Sequence, residues 1–198
     1  MGALMARSRK GLKRQKESIE IFCEGESEKQ YFNMLKRKYR GSNVKVRVIA
    51  ADLSGKRLIE KAIKKMKHDK VQKGYIVFDR DEHKKKELQE VQALANKNNI
   101  GVVFSSIDFE IWVLLHFEFV NRVYSRKELE NKLSGKDYFN TNYQQFKGDS
   151  YEEFLFDRID YAVKNARKLY QSHSDWINDD PFTNIHLAID EIFHPDIY

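Results

Sequence analysis

Apolar residues along this chain follow two alternating rhythms. Short unbroken or period-two runs alternate with stretches in which apolar positions recur every three or four residues. Ser18-Ile19-Glu20-Ile21-Phe22-Cys23 predicts a buried strand ending at Glu24-Gly25. From Glu26 the period turns helical, with Tyr31, Phe32, Leu35 and Tyr39 on one face and Gly41 as the expected stop. Val44–Ala50 sets three valines against Lys45 and Arg47, the pattern of a half-buried strand. Ser54 stands where an N-cap is expected, before a helix whose stripe is Leu58, Ile59, Ala62, Ile63 and Met66. Gly74 opens the strand Tyr75-Ile76-Val77-Phe78, which ends at Asp79. A third helix over Lys84–Asn98, a fourth strand over Ile100–Phe104 and an apolar helix over Asp108–Phe117 complete the first half.

This strand–helix alternation predicts an α/β fold, a parallel four-stranded sheet flanked by helices. Beyond about residue 120 the pattern predicts no further strands. Arg126–Leu133 reads as a short helix, Asp137–Ser150 as a polar and aromatic loop, and Tyr151–Tyr170 as one long amphipathic helix. A last helix follows Pro181 and uses Ile185, Ala188, Ile189 and Ile192. The expected division is a basic arm over 1–17, an α/β core over 18–120, and a mainly helical extension packed on the core over 121–198.

Composition narrows the classes. With 13 Phe and 10 Tyr in 198 residues, the chain can bury a core and is not a disordered polyelectrolyte. The single cysteine, Cys23, excludes a disulfide scaffold and a multi-cysteine zinc site, and fits a reducing, cytoplasmic setting. It reads as a small buried hydrophobe. No apolar run approaches the roughly 20 residues of a membrane span. Charge changes the picture more. Residues 1–99 carry 26 Lys/Arg against 13 Asp/Glu, a net of +13, whereas residues 100–198 carry 10 against 17, a net of −7. A basic half of this kind attracts polyanions, although a solvated lysine-rich surface has the same composition. Arg80, Lys56, Arg57, Lys84 and Lys85 are the candidate nucleic-acid contacts.

The candidate chemistry lies where strands meet acids. In a parallel α/β sheet, ligands bind outside the carboxyl ends of the strands. Strand one runs into Glu24-Gly25-Glu26, strand three into Asp79-Arg80-Asp81-Glu82, and strand four is followed by Asp108 and Glu110. Converging carboxylates repel one another unless a hard cation such as Mg²⁺ joins them. In an extended segment Asp79 and Asp81 point to one side, able to share a metal, and Gly25 permits a tight turn. Glu24, Asp79 and Asp81 are the candidate metal ligands. For Glu26, Glu28 and Glu82, capping the following helices is the favoured reading. His83 is either a general base or an exposed loop histidine. His116 and His186 read as structural histidines and Trp112 as core.

These motifs also occur together in one family. Ile21-Phe22-Cys23-Glu24-Gly25-Glu26-Ser27-Glu28 with Tyr31-Phe32 resembles the opening motif of the RloB family, and Val77-Phe78-Asp79-Arg80-Asp81-Glu82-His83 resembles its DxD motif. Ser105-Ser106-Ile107-Asp108-Phe109-Glu110-Ile111-Trp112, followed by Leu114-Leu115-His116-Phe117, is similar to the third motif, without its proline. Asp180-Pro181-Phe182-Thr183-Asn184-Ile185-His186 is similar to the C-terminal one. The resemblance implies a TOPRIM-type fold, with Glu24, Asp79 and Asp81 as the matching acids. It supports Glu110 as a fourth catalytic residue and leaves Asp108 open. It further implies a place in phage defence or abortive infection, often beside an ABC- or OLD-type ATPase.

The resulting expectation is a Mg²⁺-dependent nuclease, with Mn²⁺ as a possible substitute, that hydrolyses DNA or RNA, tRNA included. The alternative is a non-catalytic nucleic-acid-binding or ATPase-partner subunit. A phosphoreceiver-type switch is a third, weaker option.

Overall fold

The computed structural model describes residues 17–40, 44–81 and 83–193. The basic arm up to residue 16, the expected stop at Gly41, and Glu82 lie outside the described residues. Four strands, β1 (Glu17–Cys23), β2 (Val44–Ala50), β3 (Lys73–Asp79) and β4 (Ile100–Ser106), alternate with α1 (Glu26–Lys38), α2 (Gly55–Asp69) and α3 (Lys85–Asn98). They pair in parallel in the order β2-β1-β3-β4. Side-chain alternation sorts the strands onto two cores. Ile19, Ile21, Cys23, Tyr75, Val77 and Val103 face α1 and the helices of the second half. Phe22, Ile76, Phe78 and Phe104 face the apolar stripes of α2 and α3.

The second half departs from expectation in three places. A fifth strand, β5 (Phe182–Thr183), pairs antiparallel with the end of β4, so strands do not cease near residue 120. Two residues are too short to carry a period. The neighbouring Asn184 does much of the pairing: its side chain accepts from Phe104 N at 2.8 Å and donates to Val102 O at 2.9 Å, satisfying edge groups of β4. The long helix over Tyr151–Tyr170 is broken into α7 (Glu152–Leu155), a 3₁₀ turn at Phe156–Arg158, and α8 (Ile159–Tyr170). The loop between Asp137 and Ser150 contains a helical turn, α6 (Tyr143–Phe146). Helix α4 (Glu110–Leu115) begins two residues later than expected, and α5 (Arg126–Leu133) and α9 (Ile185–Phe193) complete the chain.

Three features of this fold position the candidate site. Late-starting α4 leaves Asp108 on the turn before it. The aromatic side chains of Phe139, Tyr143, Phe146, Tyr151 and Phe154 pack on one another and hold the loop carrying Lys147 against the sheet end. Arg80 ties the segment before β5 to the sheet. Its guanidinium donates to the carbonyls of Trp176 (3.0 Å), Ile177 (3.0 Å) and Asp179 (3.1 Å), and its Nε to Ser106 Oγ (2.7 Å).

Candidate active site

Adjacent strand ends bring the predicted acids together. β1 and β3 are neighbours, and Glu24, one residue past β1, accepts a hydrogen bond on Oε2 from Asp79 N at 3.3 Å. Asp79 pairs across to Ser105 at the end of β4, just before the turn that carries Asp108 and Glu110. Glu24, Glu28, Asp79, Asp81, Asp108 and Glu110 therefore line one cleft of about 290 Å³, together with Arg126 and Lys147. Asp81 gets there by a different route from the one expected. Its φ of 41° is left-handed, so Asp79 and Asp81 are not successive same-side residues of an extended strand; a turn brings the second carboxylate round. Gly25 is extended at φ −129°, so no tight turn requires it.

Asp108 is the anomaly in this cleft. The residue is 3% exposed, and neither carboxylate oxygen has a hydrogen-bond partner among the described residues. The Arg126 Nε stands 4.0 Å from Oδ2, beyond hydrogen-bond reach. Burial, reinforced by the charge of Glu110, raises the Asp108 pKa to about 8. Burial likewise raises Asp79 well above the usual carboxylate range, with Glu28, Glu110, Asp108 and Glu24 adding to it. Glu28 is pushed to about 7 by burial first and then by Glu110 and Glu24. It does cap α1 as expected, accepting from Gly25 N at 3.2 Å, but it also faces the cleft.

Two of the acids are paired with cations from the second half. Arg126, the first residue of α5, forms an ion pair with Asp81. Lys147 reaches Glu110 Oε1 at 3.0 Å and Glu130 at 3.7 Å, and Tyr143 Oη donates to the same Glu110 oxygen at 3.3 Å. Burial pulls the Lys147 ammonium pKa down, but Glu110 and its neighbours outweigh it and the net shift is upward. Among the described residues, no group of three or more His, Cys, Asp or Glu side chains is already set to hold a metal ion. The acids still fit a hard cation: each offers carboxylate oxygens, and Asp108 is buried with no hydrogen-bond partner.

Glu24 is held from the opposite side as well. Ser54 precedes α2, but its hydroxyl makes no cap bond. It donates instead to Glu24 Oε2 at 2.8 Å and meets His83 Nε2 at 2.6 Å, while His83 Nδ1 lies 3.0 Å from Glu87 Oε2. His83 is therefore a bonded residue with its side chain 14% exposed, not a free loop histidine. Gly55 makes room for it: a Cβ there would lie 2.6 Å from His83 Cε1, and its φ is +51°.

The predicted basic contacts lie elsewhere. Arg80 donates to carbonyls and Ser106 and does not line the cleft. Lys56 is exposed and paired with Glu90 at 2.9 Å. Arg57 lines a separate surface groove with Lys61, Lys64 and Lys65. Lys84 and Lys85 are exposed at the start of α3. Sequence reasoning missed Arg126, Lys147 and Ser54 as cleft or relay residues. A lone cation in a polar segment has no period or motif to mark it. The other singled-out residues are structural. His116 Nδ1 donates to Trp112 O, so Nε2 accepts from Tyr31 Oη at 3.0 Å, and burial lowers its pKa to about 3. Nδ1 of buried His186 has no partner among the described residues, and its ring packs edge-on against Tyr170. Trp112 and Cys23 are fully buried.

No curated protein matches this chain, and no solved structure does. One family's sequence pattern does match, the one described as RloB-like protein, over residues 19–192. That span contains all the acids of the cleft, both cations that pair with them, and the fifth strand. The chain belongs to the RloB-like protein family.

Proposed function

We propose that the protein is a metal-dependent phosphodiesterase acting on DNA or RNA, with a TOPRIM-type arrangement of its acids, and that it works in the cytoplasm in phage defence. The observation that carries this reading is the buried carboxylate of Asp108 among Asp79, Glu24 and Glu28, which has no hydrogen-bond partner and meets the Arg126 guanidinium only at 4.0 Å. Glu24, Asp79, Asp81, Asp108 and Glu110 would hold a divalent cation, Mg²⁺ or Mn²⁺. When bound, that cation neutralises phosphodiester charge and lowers the pKa of an attacking water.

The chain's own groups do the rest. Ser54 and the Asp79 amide both engage Oε2 of Glu24, which fixes the carboxylate plane and leaves Oε1 for the cation. Glu110 is oriented by Lys147 and Tyr143. Asp81 turns toward the cleft mouth, where it meets Arg126.

The test is incubation of the purified protein with DNA and with total RNA, in Mg²⁺, in Mn²⁺ and in chelator, beside Asp79→Asn. Cleavage that needs the metal and is lost in the variant is the expected result. Equal cleavage by the variant would move the active site elsewhere.

A second reading, a non-catalytic nucleic-acid-binding subunit that docks on an ABC- or OLD-type ATPase, is favoured by one observation. Arg126 and Lys147 already neutralise two of the acids. Polyanion binding that is identical in chelator and in Mg²⁺, without cleavage, would decide for it.

A further inference from the structure

The basic face of the first half and the acidic cleft are separate places. Lys56, Arg57, Lys84 and Lys85 do not line the cleft, and Arg80 is tied to backbone carbonyls. Among the described residues, the cations that line it are Arg126 and Lys147, both from the net-acidic second half. Each sits on a carboxylate that a divalent cation would need: Arg126 on Asp81, Lys147 on Glu110. Both side chains reach solvent. The Arg126 side chain is 50% exposed and that of Lys147 is 34% exposed. Both are carried by short or irregular segments, the first turn of α5 and the residue after α6.

We propose that Arg126 and Lys147 form a phosphate subsite that doubles as the cleft's own counter-ion. In the metal-free protein they neutralise Asp81 and Glu110. Once a divalent cation takes those carboxylates, the guanidinium and the ammonium turn to a phosphate of a bound nucleic-acid strand. The chemistry matches the residue types. A guanidinium offers a planar fork of donors to two phosphate oxygens, and an ammonium serves as a mobile point charge. Asp108, left without a partner beside Arg126, gives the incoming cation an anchor for which neither basic group competes at bonding distance. The sequence-wide charge split therefore misleads about the cleft: the phosphate facing the acids is gripped from the acidic half, while the basic half holds the strand farther out.

This inference rests on the metal-dependent reading above, and its test separates the two. Mn²⁺ binding is measured by titration calorimetry on the full chain and on Arg126→Gln, Lys147→Gln and Asp108→Asn. Binding of a fluorescent single-stranded oligonucleotide is then measured in saturating Ca²⁺. Removing a competing cation should tighten Mn²⁺ binding, by about two- to five-fold for Arg126→Gln, whose pair with Asp81 is partly exposed, and by at least as much for Lys147→Gln, whose partner Glu110 is buried. The same variants should bind the oligonucleotide more weakly, and Asp108→Asn should lose Mn²⁺ affinity. Opposite signs in one variant are the diagnostic, because mere damage to the fold would weaken both. Arg126→Lys should recover part of both changes. Mn²⁺ binding to the parent protein, with unchanged or weaker Mn²⁺ affinity in both glutamine variants, overturns the subsite and leaves the metal reading standing. Failure of every form to bind Mn²⁺ overturns the metal reading and the subsite with it.

Discussion

Replacing Asp108 by asparagine should stabilise the metal-free protein, and the gain should grow with pH. The carboxylate is 3% exposed and unpartnered, and its pKa rises from 3.8 to about 8, chiefly through burial. An acid with a raised folded pKa keeps a proton in the native state that the unfolded chain has released. Stability is therefore fully present below the unfolded value and declines as pH climbs toward the folded one. Each pH unit between those two values removes about 1.4 kcal/mol. At pH 7 the penalty reaches an upper bound of about 4 kcal/mol, with the opposing pull of the Lys147 ammonium already included. Asparagine has no proton to take up, so it removes the pH dependence and keeps the shape. Half of that bound is about 2 kcal/mol, or about 4–8 °C in melting temperature for a chain of this size. The assay is a thermal melt in chelator at pH 5 and pH 7. The variant should melt several degrees above the parent at pH 7, and the gap should narrow at pH 5. Adding Mn²⁺ should raise the parent more than the variant. A variant that melts below the parent at pH 7 in chelator would refute the reasoning, because the carboxylate would then have a stabilising partner.

Asp79→Asn should abolish metal-dependent cleavage while melting no lower than the parent in chelator, since it relieves repulsion from Glu28, Glu110 and Asp108; a much lower melt would make Asp79 structural. Ser54→Ala should free the Glu24 carboxylate and lower kcat by about ten-fold or more, with Ser54→Thr restoring most of it; equal activity in the alanine variant would remove Ser54 from the site. Gly55→Ala should destabilise by about 1–3 kcal/mol, because φ is +51° and His83 occupies the space, a loss readable in a denaturant melt. Arg80→Ala should lower the melting temperature yet leave the salt dependence of oligonucleotide binding unchanged, because its bonds go to carbonyls; a shallower salt slope would return it to the phosphate contacts.

The sequence by itself determined the parallel α/β half of this protein. Period two in Val44–Ala50 and period 3.6 through Leu58, Ile59, Ala62 and Met66 are local signals, and each matched an element. The acids of the cleft were legible for the same reason, because Glu24 directly follows one apolar strand and Asp79 ends another, whereas the pairing of those two strands was decided by the fold. What the tertiary structure alone decided concerns partners distant in the chain. β5 exists because Asn184 and Thr183 meet the edge of β4, some 80 residues earlier. Ser54 looked like a helix cap from its neighbours, yet it bonds Glu24 and His83, 30 and 29 residues away. Arg80 looked like a phosphate ligand between two acids, yet carbonyls nearly a hundred residues on use its donors. Arg126 and Lys147 carried no mark at all. Periodicity reports which face of an element is buried; it does not report which distant group a polar side chain will meet, because that depends on how the loops return over the sheet.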